Sequence, residues 1–153
     1  MVIEIKQDFN MWERTPQVGL RVRDYDDRLR RIIRLDLDKV ELITTLRSDE
    51  TTIWSFTRRD RLDLKKYVLL GATVFDALDK CKENIPDFWS EPSPIGIVQP
   101  VVFDGSIVNN ICTSGEWVYA FLYSRGGWYS GTVSITGFDT QACRSAVLPV
   151  EYL

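Results

Sequence analysis

Apolar and polar residues alternate along much of the chain, and alternation predicts strands. MVIEI opens as a short strand. In VGLRVR (18–23), Val18, Leu20 and Val22 share one face, while Arg21 and Arg23 take the other. Asp24 to Asp27 supply turn chemistry. Residues 28–38 then resume the pattern, with Leu29, Ile33, Leu35 and Leu37 against Arg28, Arg30, Arg34, Asp36 and Asp38. This reads as a half-buried antiparallel hairpin. A second hairpin is expected from VELITTL and TTIWSFTR. A loop at Ser48-Asp49-Glu50 would set Thr44 opposite Trp54 and Leu42 opposite Phe56.

The pattern then changes. YVLLGATVFDAL (67–78) is apolar on nearly every side of a helix, which predicts an enclosed helix rather than a surface one. Asp60 and Asp63 suit its start, and Pro86 ends it, so one long helix is expected over about 61–84. Four prolines between 86 and 100, around Phe88 and Trp89, describe a stiff connecting loop. Strands are expected again near 95–103, 106–112, 116–124, 128–136 and 145–152. Strands, one helix and more strands predict a single α+β domain over 1–153, with a mainly antiparallel twisted sheet packed on the helix or wrapped around it.

The richest stretch is WVYAFLYSRGGWYSGTVSI (117–135). A two-residue turn at Gly126-Gly127 suits the twist of a hairpin. It would pair Tyr119 with Ser134, Phe121 with Thr132 and Arg125 with Trp128. One face then carries Trp117, Tyr119, Phe121 and Tyr123 beside Ser130, Thr132, Ser134 and Thr136. The other carries Val118, Ala120 and Leu122 beside Gly131, Val133 and Ile135. A three-residue loop would exchange the partners and make the aromatic row core. With the tight turn, rings beside hydroxyls make a face suited to binding. Four such side chains carry roughly 600–1,000 Å², enough that either a partner or the protein's own helix or Pro-rich loop should cover them.

Composition narrows the chemistry. The chain has 153 residues, 44% hydrophobic and 27% charged, as in ordinary globular domains. No apolar run approaches the ~20 residues of a membrane helix, and the N-terminus lacks a signal-peptide pattern. Cys81, Cys112 and Cys143 are few and widely spaced, which fits a reducing cytoplasm. There is no histidine, so His-dependent nucleophiles, proton shuttles and zinc sites are excluded. Net charge is −3, against a general nucleic-acid binder, but residues 1–66 hold fifteen of the nineteen Lys and Arg.

Weaker candidates follow from that asymmetry. Arg21, Arg23, Arg28, Arg30 and Arg34, with Arg31, form an anion patch, although interleaved aspartates favour a self-neutralised edge. Arg58, Arg59, Arg61, Lys65 and Lys66 are expected at the surface near the helix entrance. Asp36 and Asp38 form a D-x-D pair, a very weak cation or acid–base signal. SRGGWYSG lacks the Lys-Ser/Thr of a phosphate loop, and no metal-ligand spacing occurs.

The expected function is a small non-catalytic cytoplasmic protein of the inhibitor, immunity or accessory type, without cofactor or metal. It would occlude a partner protein with a basic surface, using Trp117, Tyr119, Phe121, Tyr123, Trp128, Ser130 and Thr132. The alternatives are a small-ligand or lipid-type carrier with a pocket between sheet and helix, or a nucleic-acid-associated factor using the N-terminal arginines.

Overall fold

A computed structural model describes residues 1–7, 20–110, 115–135, 138–139 and 143–153, with the backbone only at 20–25, 110 and 138–139. Its elements in chain order are β1 (Val2–Glu4), β2 (Leu20–Tyr25), β3 (Arg34–Asp36), β4 (Glu41–Ile43), β5 (Ile53–Trp54), α1 (Ser55–Asp60), β6 (Tyr67–Leu69) and α2 (Ala72–Lys80). They continue as β7 (Val101–Asn110), β8 (Glu116–Ser124), β9 (Gly127–Ser134), β10 (Phe138–Asp139) and β11 (Arg144–Pro149). The fold is α+β. A seven-stranded sheet runs β4-β11-β7-β8-β9, with β2 added to β7 and β6 to β11. Its described pairs are antiparallel except β11 with β7, where Arg144 and Ser145 run parallel to Val101 and Val102.

The sheet is covered on both faces. On one, Phe75 and Leu78 of α2 share a buried cluster with Phe103, Val108, Tyr119, Phe121, Ala146 and Leu148. Leu29, Ile32, Leu35, Leu37, Val40 and Trp89 complete this main core. On the other, Val102, Ile107, Val118 and Ala120 form a smaller cluster, and Leu62, Leu69 and Val147 form another. Alternation along β7, β8 and β11 sends successive side chains to opposite layers.

Three segments meet at Gly105. Its N–H donates to the Leu70 carbonyl (2.9 Å), and its own carbonyl accepts from the Asp26 N–H (3.0 Å). A Cβ here would lie 2.0 Å from the Leu69 carbonyl oxygen, so the close approach requires glycine. The β7–β8 register shifts beside it, between Phe103 and Val108, as expected where a strand bends around an inserted neighbour.

The expected long helix is absent. Residues 61–66 turn, with the Lys66 and Tyr67 N–H groups both donating to the Asp63 carbonyl, and YVL is strand β6. Only the nine residues of α2 are helical, followed by 3₁₀ turns at Lys82–Asn84 and Asp87–Ser90. The physical reason lies at Gly71, which separates two apolar runs that each enter the core differently. The Ser106 hydroxyl from β7 accepts from the Ala72 N–H at 3.0 Å and receives the helix start there.

Neither early hairpin forms. β2 pairs with β7, and β3 pairs with β1. Between β2 and β3 the chain makes a 3₁₀ turn, Asp27–Arg31, capped by the Asp26 carboxylate on the Arg28 N–H. The three-residue step brings Ile32 inside with Leu29 and Leu35, leaving Ile33 62% exposed. β4 pairs with β11 and β5 with β10, so Thr44–Trp54 and Leu42–Phe56 are not partners, and SFTRRD is helix α1. Later strands fare better. The two expected between 95 and 112 are one strand, β7, while β8 and β9 fall close to their expected bounds.

Candidate functional site

The β8–β9 hairpin turns at Arg125-Gly126, with φ values of +49° and +78°. Positive φ at both central residues matches the type I′ turn, one residue earlier than the glycine pair suggests. Tyr119 therefore faces Thr132, Phe121 faces Ser130 and Tyr123 faces Trp128. The register differs by two from the expected one, an even step that preserves the facing. Rings and hydroxyls do share one face, and Val118, Ala120 and Leu122 share the other with Val133, Gly131 and Tyr129.

That aromatic face, however, is the inner one along much of its length. Tyr119 and Phe121 are fully buried. Phe75 of α2 stacks on both, at 4.5 and 4.7 Å between ring centroids, and Phe103 meets Phe75 and Phe121 edge-on at 5.5 Å. Tyr119 and Phe121 therefore cannot act as anchors for a partner while the fold is intact. The hydroxyl-bearing partners lie on the outer strand, which is why they remain nearer to water. Ser130 is exposed, while Thr132 and Trp117 are half-buried.

α2 is tied to β9 near its C-terminal end. At its last turn, Asp79 accepts from the Ser130 hydroxyl and from Lys82 Nζ at 2.5 Å. Partial burial would raise the Asp79 carboxyl, but the bonds from Lys82 and Ser130 outweigh it and hold it below its usual range. Beyond this seam, Tyr123 and Trp128 pack edge-to-face at 5.0 Å, half-buried. On the opposite face Leu122 is 39% exposed and Tyr129 52%. The outer end of the hairpin thus shows large apolar groups on both sides, a feature that strand alternation alone does not reveal.

The described members of the arginine patch, Arg28, Arg30 and Arg34, differ in their surroundings. Arg28 forks onto Asp26 (Nη2–Oδ2 2.6 Å) and also donates to the carbonyls of Leu64 and Tyr67, which makes it a fastener between segments. Burial opposes ionisation of Asp26, but the Arg28 side chain and backbone donors keep its carboxyl below the usual range. Arg34 is exposed on β3 and Arg30 is exposed at the 3₁₀ turn. The side chains of Arg21 and Arg23 lie outside the described residues, as does Cys112. Asp36 and Asp38 both hold the Met1 ammonium, at 3.1 and 2.5 Å.

The second basic cluster contains the largest surprise. Arg58 is fully buried, and its Nε and Nη2 bond Asp104 at 3.0 and 2.8 Å. Ser145 Oγ donates to the same carboxylate at 2.5 Å, and Arg59 Nε reaches the Asp104 carbonyl at 3.0 Å. Arg61 instead forks onto Glu50, whose carboxyl is pulled down to about 2 by Arg61 and the Arg47 N–H. A strand expectation for residues 51–58 hid all of this. The run R-R-D with a buried first arginine carries no signal in the sequence.

A groove of about 390 Å³ lies away from the hairpin, lined by Glu41, Lys65, Lys66, Tyr67, Val150 and Tyr152 among others. Charges of both signs line it, and the Glu41 carboxylate raises the Tyr67 hydroxyl above its ordinary value. Between α2 and the sheet, where a carrier would need its pocket, the described side chains pack ring against ring. Among the described residues, no group of three or more Cys, Asp or Glu is placed to hold a metal ion, and no helix is long and apolar enough to cross a membrane. Comparison of the chain with protein-family models, curated proteins and solved structures finds no match.

Proposed function

We propose that the protein is a non-catalytic, cytoplasmic protein-binding factor, and that the outer end of the β8–β9 hairpin is its contact surface. The observation that carries this reading is the exposure of Leu122 and Tyr129 on one side of the Arg125-Gly126 turn, beside the half-buried rings of Tyr123 and Trp128 on the other. Rigid aromatic groups backed by packed neighbours suit contact with a protein, since little side-chain freedom is lost on binding. Residues 67–153 carry nine Asp and Glu against four Lys and Arg, which favours a basic partner through steering. The absence of histidine supports a non-catalytic role.

The test is affinity capture of partners with the intact chain and with Leu122→Ser/Tyr123→Ala, after circular dichroism has shown equal folding. Loss of the captured partner from the folded variant is the expected result. Equal recovery by both chains would reject the hairpin end as the contact surface.

A further inference from the structure

Strand β9 closes one side of the sheet, and among the described residues no strand lies beyond it. Natural edges of this kind are protected by charge, proline, bulges or brevity. β9 has none of these. It runs eight residues, GWYSGTVS, without charge or proline, and its ladder with β8 is continuous from Ser134 to Gly127.

The direction of its backbone groups follows from one bond. The Ile135 N–H donates to the Glu116 carbonyl at 3.0 Å. Antiparallel ladders alternate, so Gly127, Tyr129, Gly131 and Val133 also turn toward β8. Trp128, Ser130, Thr132 and Ser134 then turn their N–H and C=O groups outward. The Ser134 carbonyl confirms the parity, because the Ser55 hydroxyl of α1 bonds it at 2.8 Å from outside the ladder. One end of the edge is therefore capped by the protein itself. Trp128, Ser130 and Thr132 present three N–H and three C=O groups in a row.

We propose that this segment pairs antiparallel with the same segment of a second copy, about a two-fold axis at Ser130. Ser130 then meets its own counterpart, and Trp128 meets Thr132 of the other copy, so all six outward groups are bonded. Tyr129 falls opposite Gly131, an aromatic beside a glycine, a pairing known to support strand edges. No like charges oppose each other within the strand, and the nearby Asp79 is already neutralised by Lys82. Self-pairing closes after two copies. The opposite end of the main strand order, β4, is three residues long and begins with Glu41, which makes it a poor head-to-tail partner for β9. Trp128 and Tyr129 belong to both surfaces, whereas Leu122 and Tyr123 lie on β8, outside the paired segment.

Sedimentation equilibrium of the full chain over a concentration series tests the idea, with hydrogen exchange on the same samples. The expected result is a dimer in which the amides of Trp128, Ser130 and Thr132 gain protection as concentration rises. Thr132→Pro removes one outward N–H per copy without touching the β8 ladder, and should weaken dimerisation by about tenfold or more. Should Thr132→Pro not fold, Tyr129→Lys places a charge on the edge and should weaken it likewise. Thr132→Pro leaves Leu122 and Tyr123 in place, so loss of the dimer with partner capture retained separates this proposal from the hairpin-end contact. A single-chain mass up to about 1 mM, the weak end of ordinary affinity, overturns it. So does a dimer in which the three amides exchange freely.

Discussion

Both faces of the sheet carry apolar clusters, but the face under α1 adds a buried ion pair. Under α2 the closure is carbon on carbon, with Phe75 stacked on Tyr119 and Phe121 and wedged against Phe103. Under α1 it includes a charge pair, Arg58 with Asp104, seated with Ser145 in a region without solvent exposure. Stacked rings contribute about 0.5–1.5 kcal/mol per pair beyond their burial, and they tolerate small shifts. A buried ion pair returns little net energy, because desolvation offsets attraction, but it is intolerant of losing one member. The aromatic face therefore supplies stability, and the ionic face fixes where a six-residue helix sits. α1 is too short to hold its place by helical propensity.

That contrast can be broken from either side. Arg58→Ala leaves Asp104 buried beside Ser145 without its main partner and should cost about 3–5 kcal/mol in urea unfolding. Phe121→Ala should cost about 3 kcal/mol, toward the lower end for such truncations, because Trp128 stands 6.5 Å away and can settle into the space. Replacing both charges, with Arg58→Met and Asp104→Leu, should cost far less than Arg58→Ala alone, and a double variant as unstable as the single one would show that the pair contributes net stability.

A milder test uses acid. Glu50 titrates at about 2 in the fold against 4.5 unperturbed, so its contribution is complete above about pH 4.5 and fades as pH falls toward 2. Glu50→Gln should flatten the decline of the melting temperature across that window. At the hairpin end, Leu122→Ala should change stability by less than about 1 kcal/mol, because much of the side chain already meets water.

How far the sequence reached depends on the distance over which each feature is decided. Alternation in 116–124 gave the strand, and a glycine-containing turn gave the hairpin, both local matters. The facing survived a two-residue error in register because strand periodicity is two. What covers that face was decided by Phe75, some forty residues earlier, and no local pattern records it. The same limit explains the early hairpins. Residues 20–25 and 41–43 have good strand patterns, but their partners, β7 and β11, come much later in the chain. YVLLGATV fails for another reason: short apolar runs suit buried strand and buried helix equally, and Gly71 divides one of each. Arg58 shows the converse, since a charged residue in the interior contradicts the usual rule and is visible only with its distant carboxylate.

The position of β11 carries a consequence for how the protein is made. Arg144–Pro149 lies between β4 on one side and β7 and β6 on the other, so segments from three separate regions share a single late-emerging template. During synthesis each of them waits with an unfilled flank until β11 emerges, after roughly a hundred further residues for β4, about seventy-five for β6 and about thirty-five for β7. A chain halted before residue 144 would expose those flanks together, and such intermediates are natural clients for chaperones and early sources of aggregation.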